Sequence, residues 1–289
     1  AKVIMNGIMS KMTSSSYYGR NFIMYGDAKG GDFALRSQGR GLDALYTFNH
    51  SPSSNSYSGY WSQIYHCLAQ VNNLLVNIQK IEDAGNSTSA LLVYKGQALT
   101  LRALMYFDLV RLYGKPYNMD KTALGVPLAL EPLDASSQPS RATVEQVYTQ
   151  IVKDLTDGAP LLNKTKTNGY INYYANRAIL ARAYLYMENW GGALAAAEEI
   201  INSKVYTLYT NANWVSSWTA QYNTESIFEL AMLQGESDLE EGSLSFYLRR
   251  LGHGSTSAMG WFMASDYWIQ RMSQDPDDIR WGIMDYDES

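Results

Sequence analysis

The sequence predicts an all-α fold, and three patterns carry that prediction. Apolar residues recur at helical spacing over residues 57–80 and again over 90–112. Thr143, with Gln146 three positions later, has the form of a capping box, in which side chain and backbone satisfy each other's hydrogen bonds at a helix start. Residues 172–203 carry small residues at intervals that suit two closely packed antiparallel helices.

The first two predicted helices differ in how much of their surface is apolar. The helix over 57–80 has one apolar stripe, so one side is expected to pack on a core. Cys67 lies in that stripe and is predicted to be a small buried hydrophobe, since a single thiol forms no internal disulfide. The helix over 90–112 is apolar on nearly every side and is predicted to lie between neighbours, with Gly114 and Pro116 ending it.

The next segment predicts a short extended piece, a loop and a third helix. Residues 125–130 (GVPLAL) favour the extended piece, and residues 132–141 are a polar loop. The third helix follows Thr143 and is expected to end at Gly158 and Pro160.

Residues 172–203 predict two helices joined at Asn189 and Trp190. Small and aromatic residues in this segment match positions of a tetratricopeptide helix pair, namely Ala181, Tyr184 and Ala193. Trp190, and Trp61 in the first helix, are predicted to be core residues.

The character of the chain changes after Tyr209, where Asn, Ser, Thr, Gly and Trp replace the apolar stripes. Residues 226–231 favour an extended conformation, and a last helix is predicted from about Ser265. No Pro/Gly/Ser linker or block of charge divides the sequence, so a single domain over residues 1–289 is expected, built as one large body or as two intimately packed lobes.

Within this domain, the helical scaffold is predicted mainly over residues 57–113 and 142–203. The loop-rich segments are 25–57 and 205–262. Loops of such length in one domain usually serve a function.

The charge of the chain argues against nucleic acid as a partner, and its hydropathy argues against a membrane-spanning segment. Charged residues make up 18% of the chain and the net charge is −5, without the runs of Lys or Arg that a phosphate backbone requires, so nucleic acid is not expected. No stretch approaches the roughly 18 apolar residues of a membrane span. The sequence is interpreted as a soluble span, and any leader or lipid anchor has been removed or lies outside it.

The aromatic composition indicates a binding surface. Of 37 aromatic residues (23 Tyr, 7 Trp and 7 Phe), 30 are Tyr or Trp, and many lie among Gly, Ser and Asn. A flat apolar face with one polar edge suits the C–H faces and hydroxyl rims of a sugar ring, and it also suits protein interfaces.

Several blocks of the sequence, taken in order, resemble the SusD/RagB family of glycan-binding lipoproteins. The most similar stretch contains YKGQA at 94–98, LRA at 101–103 and LYG at 112–114. The other similar blocks are 60–61 (YW), 72–73 (NN), 125–127 (GVP), 139–141 (PSR), 181–184 (ARAY), 189–190 (NW), 225–229 (ESIFE) and 278–280 (DIR). An ordered series is more specific than any one block, so the chain is identified as a member of this family.

The resemblance implies tetratricopeptide-like helix pairs with an irregular, loop-rich lobe that binds the ligand. It implies a nutrient-binding lipoprotein of the outer membrane, displayed at the cell surface, as in starch-utilization systems. Such a protein captures oligosaccharide or polysaccharide and delivers it to a TonB-dependent, SusC-like transporter, without catalysis and without a cofactor. Relative to the family the chain is truncated at both ends, so the lipidated cysteine and a C-terminal continuation are expected outside it.

Five aromatic residues are the predicted stacking positions for a sugar: Tyr57, Trp214, Trp218, Tyr222 and Trp261. Trp214, Trp218 and Tyr222 recur every four residues in a segment poor in aliphatic residues. If exposed they form a stacking platform, whereas a helical turn with Trp214 and Trp218 packed inward is the alternative.

Three polar residues are the predicted hydroxyl-binding positions: Asp32, Arg40 and Asn55. They lie in the loop over 27–57, a region from which members of the family often draw ligand contacts. Asp32 also follows Gly30 and Gly31, where a turn-forming role is the alternative, and Arg40 has the alternative of an exposed charge.

Catalytic and metal sites have weaker support in the sequence. Glu225 with Glu229, and Glu240 with Glu241, are the nominal carboxylate pairs for a glycosidase, but the first lies in a block shared with the family and the second in a run of acidic residues. No hydrolytic activity is therefore expected. The acidic turn over 275–278 offers oxygen ligands without the spacing of a calcium loop, so no metal site is predicted.

A tetratricopeptide-like scaffold that binds a protein or peptide, without sugar, is the alternative function. Exposed Trp and Tyr residues clustered on the loop lobe would favour glycan. An exposed apolar helical face without such a cluster would favour the scaffold.

Overall fold

Helices make up most of the described chain, in agreement with the all-α prediction. The structure is a computed structural model that describes residues 1–36, 43–49, 51, 58–232, 242–249 and 258–284, with the backbone alone at 43, 45 and 58. The helices are α1 (Lys2–Met12), α2 (Asn21–Asp27), α3 (Asp43–Tyr46), α4 (Ser58–Asp83), α5 (Ser89–Tyr113), α6 (Val144–Gly158), α7 (Tyr173–Tyr186), α8 (Trp190–Ser203), α9 (Asn211–Ser217), α10 (Leu244–Leu248) and α11 (Asp266–Met272), with 3₁₀ helices at Ala159–Leu161 and Ile279–Ile283. The strands are β1 (Phe33–Leu35), β2 (Leu124–Pro127), β3 (Arg141–Thr143) and β4 (Phe262–Ala264).

The contacts divide the chain into two compact units, which are described separately. Unit 1 contains Ala1–Ser10, Ile64–Leu208 and Gln221–Ala231, and unit 2 contains the described residues of Lys11–Gln63, Tyr209–Ala220 and Met232–Ser289. The single domain over 1–289 remains a prediction.

Helix α5 is the centre of unit 1. Its residues from Gly96 to Val110 are all buried, as expected for a helix that is apolar on every side. It packs closely on α6, where a Cβ added to Gly96 would lie 2.9 Å from the carbonyl oxygen of Gly158. The capping box that starts α6 is present: the Thr143 N–H donates to Gln146 Oε1 (2.8 Å) and the Gln146 N–H donates to Thr143 Oγ1 (3.2 Å).

Helices α7 and α8 form the predicted pair in unit 1. The turn between them is fixed by Asn189, whose Oδ1 accepts the Gly192 N–H at 3.0 Å and so caps α8. Ala193 and Ala196 are the buried residues of α8, and their small side chains allow close approach of the helices. Before them, β2 and β3 form a two-stranded antiparallel sheet that includes the predicted extended piece.

The prediction that Trp190 belongs to the core is wrong. The residue is 62% exposed, because the helix pair closes through Ala193 and Ala196, which lie on another side of α8. Trp61 is half-buried, and Cys67 is buried as predicted.

Unit 2 is built from shorter elements. Strands β1 and β4 pair antiparallel, with Phe33 opposite Ala264. A small apolar cluster of Met24, Ala28 and Phe262 packs beside them. Helix α11 begins where the sequence predicts, with Ser265 Oγ accepting the Trp268 N–H at 3.1 Å.

Two further sequence expectations have simple outcomes. Residues 226–231 form neither a helix nor a paired strand, and their extended conformation remains a prediction. Among the described helices, none combines the length and the apolar character required to cross a bilayer.

Candidate functional site

Trp214 and Trp218 are brought together by helix α9. Their rings meet edge to face, with centroids 5.5 Å apart and an interplanar angle of 74°. The helix starts at Thr210, whose N–H donates to Asn213 Oδ1 at 2.8 Å. The Ser217 hydroxyl donates to the Trp214 carbonyl at 2.6 Å and closes the last turn.

The sequence left two alternatives for this segment, and the structure combines them. The segment is helical, and Trp214 is half-buried, yet Trp218 is 65% exposed. Trp218 therefore presents a ring to solvent, while Trp214 holds that ring from one side.

A second pair of tryptophans lies in unit 2. The rings of Trp268 in α11 and Trp281 in the 3₁₀ helix Ile279–Ile283 also meet edge to face, with centroids 5.9 Å apart. Trp281 Nε1 donates to the carbonyl of Asp275 at 3.3 Å. Neither was predicted as a candidate from the sequence, and the one signal near them was that Trp281 directly follows the family-like block 278–280.

The elements that carry the two tryptophan pairs are in contact. Helix α9 packs against the 3₁₀ helix Ile279–Ile283, and a Cβ added to Gly282 would lie 2.9 Å from a methyl of Val215. Gly282 therefore permits this close contact between the elements that carry Trp214 and Trp281.

Beside Trp281, Arg280 and Asp278 form a fork-shaped ion pair. Arg280 Nη2 lies 2.6 Å from Asp278 Oδ2, and Arg280 Nε lies 2.9 Å from Oδ1. These bonds lower the pKa of the Asp278 carboxyl to about 2. In the acidic turn of residues 275–278, carboxylate oxygens of Asp275 and Asp278 thus accept hydrogen bonds from nearby backbone N–H groups. No group of potential metal ligands occurs within the described part of the chain.

Tyr222 lies in unit 1 and has an unusual backbone. It is a half-buried residue with φ of 54°, in the left-handed region that non-glycine residues seldom adopt. Its N–H donates to Glu229 Oε2 at 2.9 Å, and Lys166 Nζ donates to its carbonyl at 3.1 Å. These bonds hold the segment against the local strain.

Trp261 has surroundings that favour packing. Its ring meets Tyr247 edge to face at 4.6 Å and borders the apolar cluster of Met24, Ala28 and Phe262. Its backbone is fixed as well, since its carbonyl accepts the Arg36 N–H at 2.8 Å. Its assignment as a stacking residue remains a prediction, and the structure adds packing within unit 2 as a second role for the ring.

The polar candidates divide into one described residue and two that lie outside the described residues. Asp32 is exposed, and its backbone carbonyl accepts the Ser265 N–H at 2.8 Å, so its carboxylate lies at the edge of the β1–β4 sheet. Burial, with a smaller contribution from the Asp32 charge, raises the pKa of nearby Asp27. Arg40 and Asn55, together with the aromatic candidate Tyr57, lie outside the described residues.

The carboxylates considered for glycoside hydrolysis are placed differently from one another. Glu229 Oε2 accepts hydrogen bonds from the Tyr222 N–H and from the Ser226 hydroxyl, at 2.9 and 3.0 Å. Glu225 is exposed, and Glu240 and Glu241 lie outside the described residues.

The fold is that of an all-α protein with exposed tryptophans on α8 and at the end of α9, and comparison with known proteins specifies the family. Residues 4–185 match the SusD-like_3 family, described as "Starch-binding associating with outer membrane". That match covers more than half of the chain. The protein therefore belongs to the SusD-like family, as the sequence blocks predicted.

Individual relatives agree with this assignment. A SusD superfamily protein from Bacteroides thetaiotaomicron is 32% identical, with a TM-score of 0.88 over 100% of this chain and 64% of its own. A SusD-like protein from Bacteroides ovatus is 23% identical over 64% of this chain and 34% of its own length. A laminarin-binding SusD-like protein shares the fold, with a TM-score of 0.61 over 78% of this chain and 49% of its own, at 24% identity. The chain thus spans about a third to two thirds of the length of these relatives.

Proposed function

We propose that the protein is a non-catalytic glycan-binding protein of the bacterial cell surface. In this proposal it is held at the outer membrane by a lipid anchor, captures oligosaccharide or polysaccharide, and delivers it to a TonB-dependent, SusC-like transporter. The family description as starch-binding and outer-membrane-associated supports the class of ligand and the location.

The observation that carries the proposal is the exposed ring of Trp218 braced by Trp214. A tryptophan that is 65% exposed loses hydration of apolar surface when its ring is covered by a sugar face. Its edge-to-face partner restricts the ring before binding, which lowers the entropy lost on association. Stacking on such a ring contributes about 1 kcal/mol beyond burial, so each contact is weak and several are needed.

A specific observation also supports a protein-binding surface. On α8 three apolar residues are 62%, 60% and 64% exposed, namely Trp190, Leu194 and Ile201, and their spacing places them on one side of the helix. Exposed apolar stripes of this kind are typical of protein interfaces. We assign this stripe to the contact with the transporter, so that both functions belong to one protein.

The glycan proposal is tested by electrophoresis in gels that contain soluble starch, laminarin, xylan or galactomannan. We expect at least one of these glycans to retard the wild type, and Trp218→Ala to weaken that retardation about fivefold in affinity. Trp190→Ala is the matched control, because it removes an equally exposed tryptophan from α8. A wild type that migrates unchanged with every glycan contradicts the proposal.

The transporter contact needs a separate test. Leu194→Glu places a charge in the α8 stripe and should reduce co-purification with the SusC-like transporter while glycan retardation is unchanged. Ala195→Glu places the same charge at an exposed position on another side of the helix and should have no effect. Equal recovery of transporter with both variants would remove α8 from the interface.

A further inference from the structure

The contact between Val215 and Gly282 brings two tryptophan pairs onto neighbouring elements of unit 2. Trp214 precedes Val215 and Trp281 precedes Gly282, so the Cα atoms of the two tryptophans lie within about 15 Å of each other. Two ring pairs are therefore close together in unit 2, and one of them includes the mostly exposed ring of Trp218.

The Trp281 ring is held in one orientation. Trp268 meets it edge to face, and its indole N–H is bonded to the Asp275 carbonyl at 3.3 Å. The polar edge of the indole is thereby satisfied within the protein, which leaves its apolar face as the part available to a ligand. Trp281 is half-buried, so part of that surface is accessible.

Arg280 adds polar groups beside this ring. A guanidinium has five N–H donors, and the ion pair with Asp278 uses those on Nε and Nη2. Within the described residues, the Nη1 hydrogens thus remain for another acceptor. The Arg280 side chain is 55% exposed and its charge is balanced by Asp278, so the pair suits neutral hydroxyl groups better than an anion.

We propose that Trp268 and Trp281, with Arg280, form a second sugar position of the site that Trp214 and Trp218 begin. The ligand of this extended site is a neutral oligosaccharide with more than one ring, one ring covering each tryptophan pair and a hydroxyl accepting from Arg280. This inference rests on the proposed glycan binding and specifies its ligand and its extent.

The test uses calorimetric titration with a size series, from monosaccharide upward, prepared from whichever glycan retards the wild type. We expect affinity to rise when the ligand becomes long enough to reach both pairs. That rise should be about fivefold in affinity. Trp281→Ala should remove it while binding of the shortest ligand is kept. Arg280→Gln should weaken the long ligand only, and Trp190→Ala should follow the wild type throughout.

A second measurement guards against variants that fail to fold. Trp281→Phe keeps an aromatic face and should retain most of the rise with ligand length. In the folded wild type, the indole N–H resonances of Trp218 and Trp281, assigned from the single Phe variants, should both shift when the long ligand is added.

The outcomes separate this inference from the proposed function. If the wild type binds a glycan but Trp281→Ala keeps the full gain with length and the Trp281 resonance does not move, the second position is overturned and glycan binding stands. If no glycan binds the wild type, the proposed function fails and this inference fails with it.

Discussion

Arg102 on α5 and Asp154 on α6 face each other in a buried two-pronged ion pair. Arg102 Nε lies 2.8 Å from Asp154 Oδ2, and Arg102 Nη2 lies 2.7 Å from Oδ1. The remaining nitrogen of Arg102 donates to Asn72 Oδ1 on α4 and to the Leu130 carbonyl, both at 3.2 Å. One side chain thus ties three helices and a loop of unit 1 together.

Asp154→Asn is expected to destabilise the protein by about 3–5 kcal/mol. The substitution leaves the buried Arg102 charge without a balancing carboxylate, and such breaks of buried pairs have that cost. Urea unfolding followed by circular dichroism measures the change.

The neighbouring exposed pair of Lys153 and Asp157 provides the control. Its side chains are 63% and 48% exposed, so Lys153→Ala should leave the urea midpoint nearly unchanged. Similar losses of stability from Asp154→Asn and Lys153→Ala would mean that the buried Arg102–Asp154 pair stabilises the fold no more than an exposed ion pair does.

Gly96→Ala should destabilise unit 1 by about 1–3 kcal/mol, even though alanine is the better helix former. The added Cβ would lie 2.9 Å from the Gly158 carbonyl oxygen, a backbone atom that moves only with α6. Gly191→Ala in α8 is the control, because a Cβ there meets nothing within 4 Å. Thermal melting compares the two, and an unchanged Gly96→Ala variant would show that α5 and α6 separate easily.

Stability should fall as the pH rises above about 10, the ordinary pKa of tyrosine. Burial raises the pKa of Tyr65, Tyr106 and Tyr148, since each phenolate would lose its hydration. A raised pKa in the folded state gives stability that is complete below the unfolded pKa and is lost as the pH climbs toward the folded value.

The measurement is the urea midpoint across that alkaline range, with absorbance of tyrosinate as the second signal. Tyr106→Phe removes one buried phenol, together with its hydrogen bond to the Ala129 carbonyl, and should flatten the alkaline decline. An equally steep decline in that variant would assign the loss to other groups.

Trp261→Ala should lower stability by about 3 kcal/mol, the lower end of the range for tryptophan truncation, because the ring is half-buried. Trp218→Ala should leave the melting temperature nearly unchanged, because its ring is mostly in solvent. If Trp261→Ala instead melts like the wild type and loses glycan affinity, Trp261 would be assigned to sugar stacking and not to packing.

Local sequence patterns determined much of the scaffold. The helix predicted over 57–80 is Ser58–Asp83, and the one predicted over 90–112 is Ser89–Tyr113. Helical periodicity and capping depend on residues within a few positions of each other, so a sequence displays them directly. The blocks that resemble the SusD family were likewise local.

The sequence by itself therefore determined the long helices α4 to α8, the start of α11, the burial of α5 and the family. Only the tertiary structure decided which tryptophans face solvent, because exposure depends on what covers each face, and that depends on contacts far along the chain. Trp190 is exposed since α8 packs through its alanines, Trp261 is lined by Tyr247, and Trp281 joins Trp268 beside α9. A periodic pattern shows that a ring lies on one side of a helix, whereas the neighbouring element determines whether that side is covered.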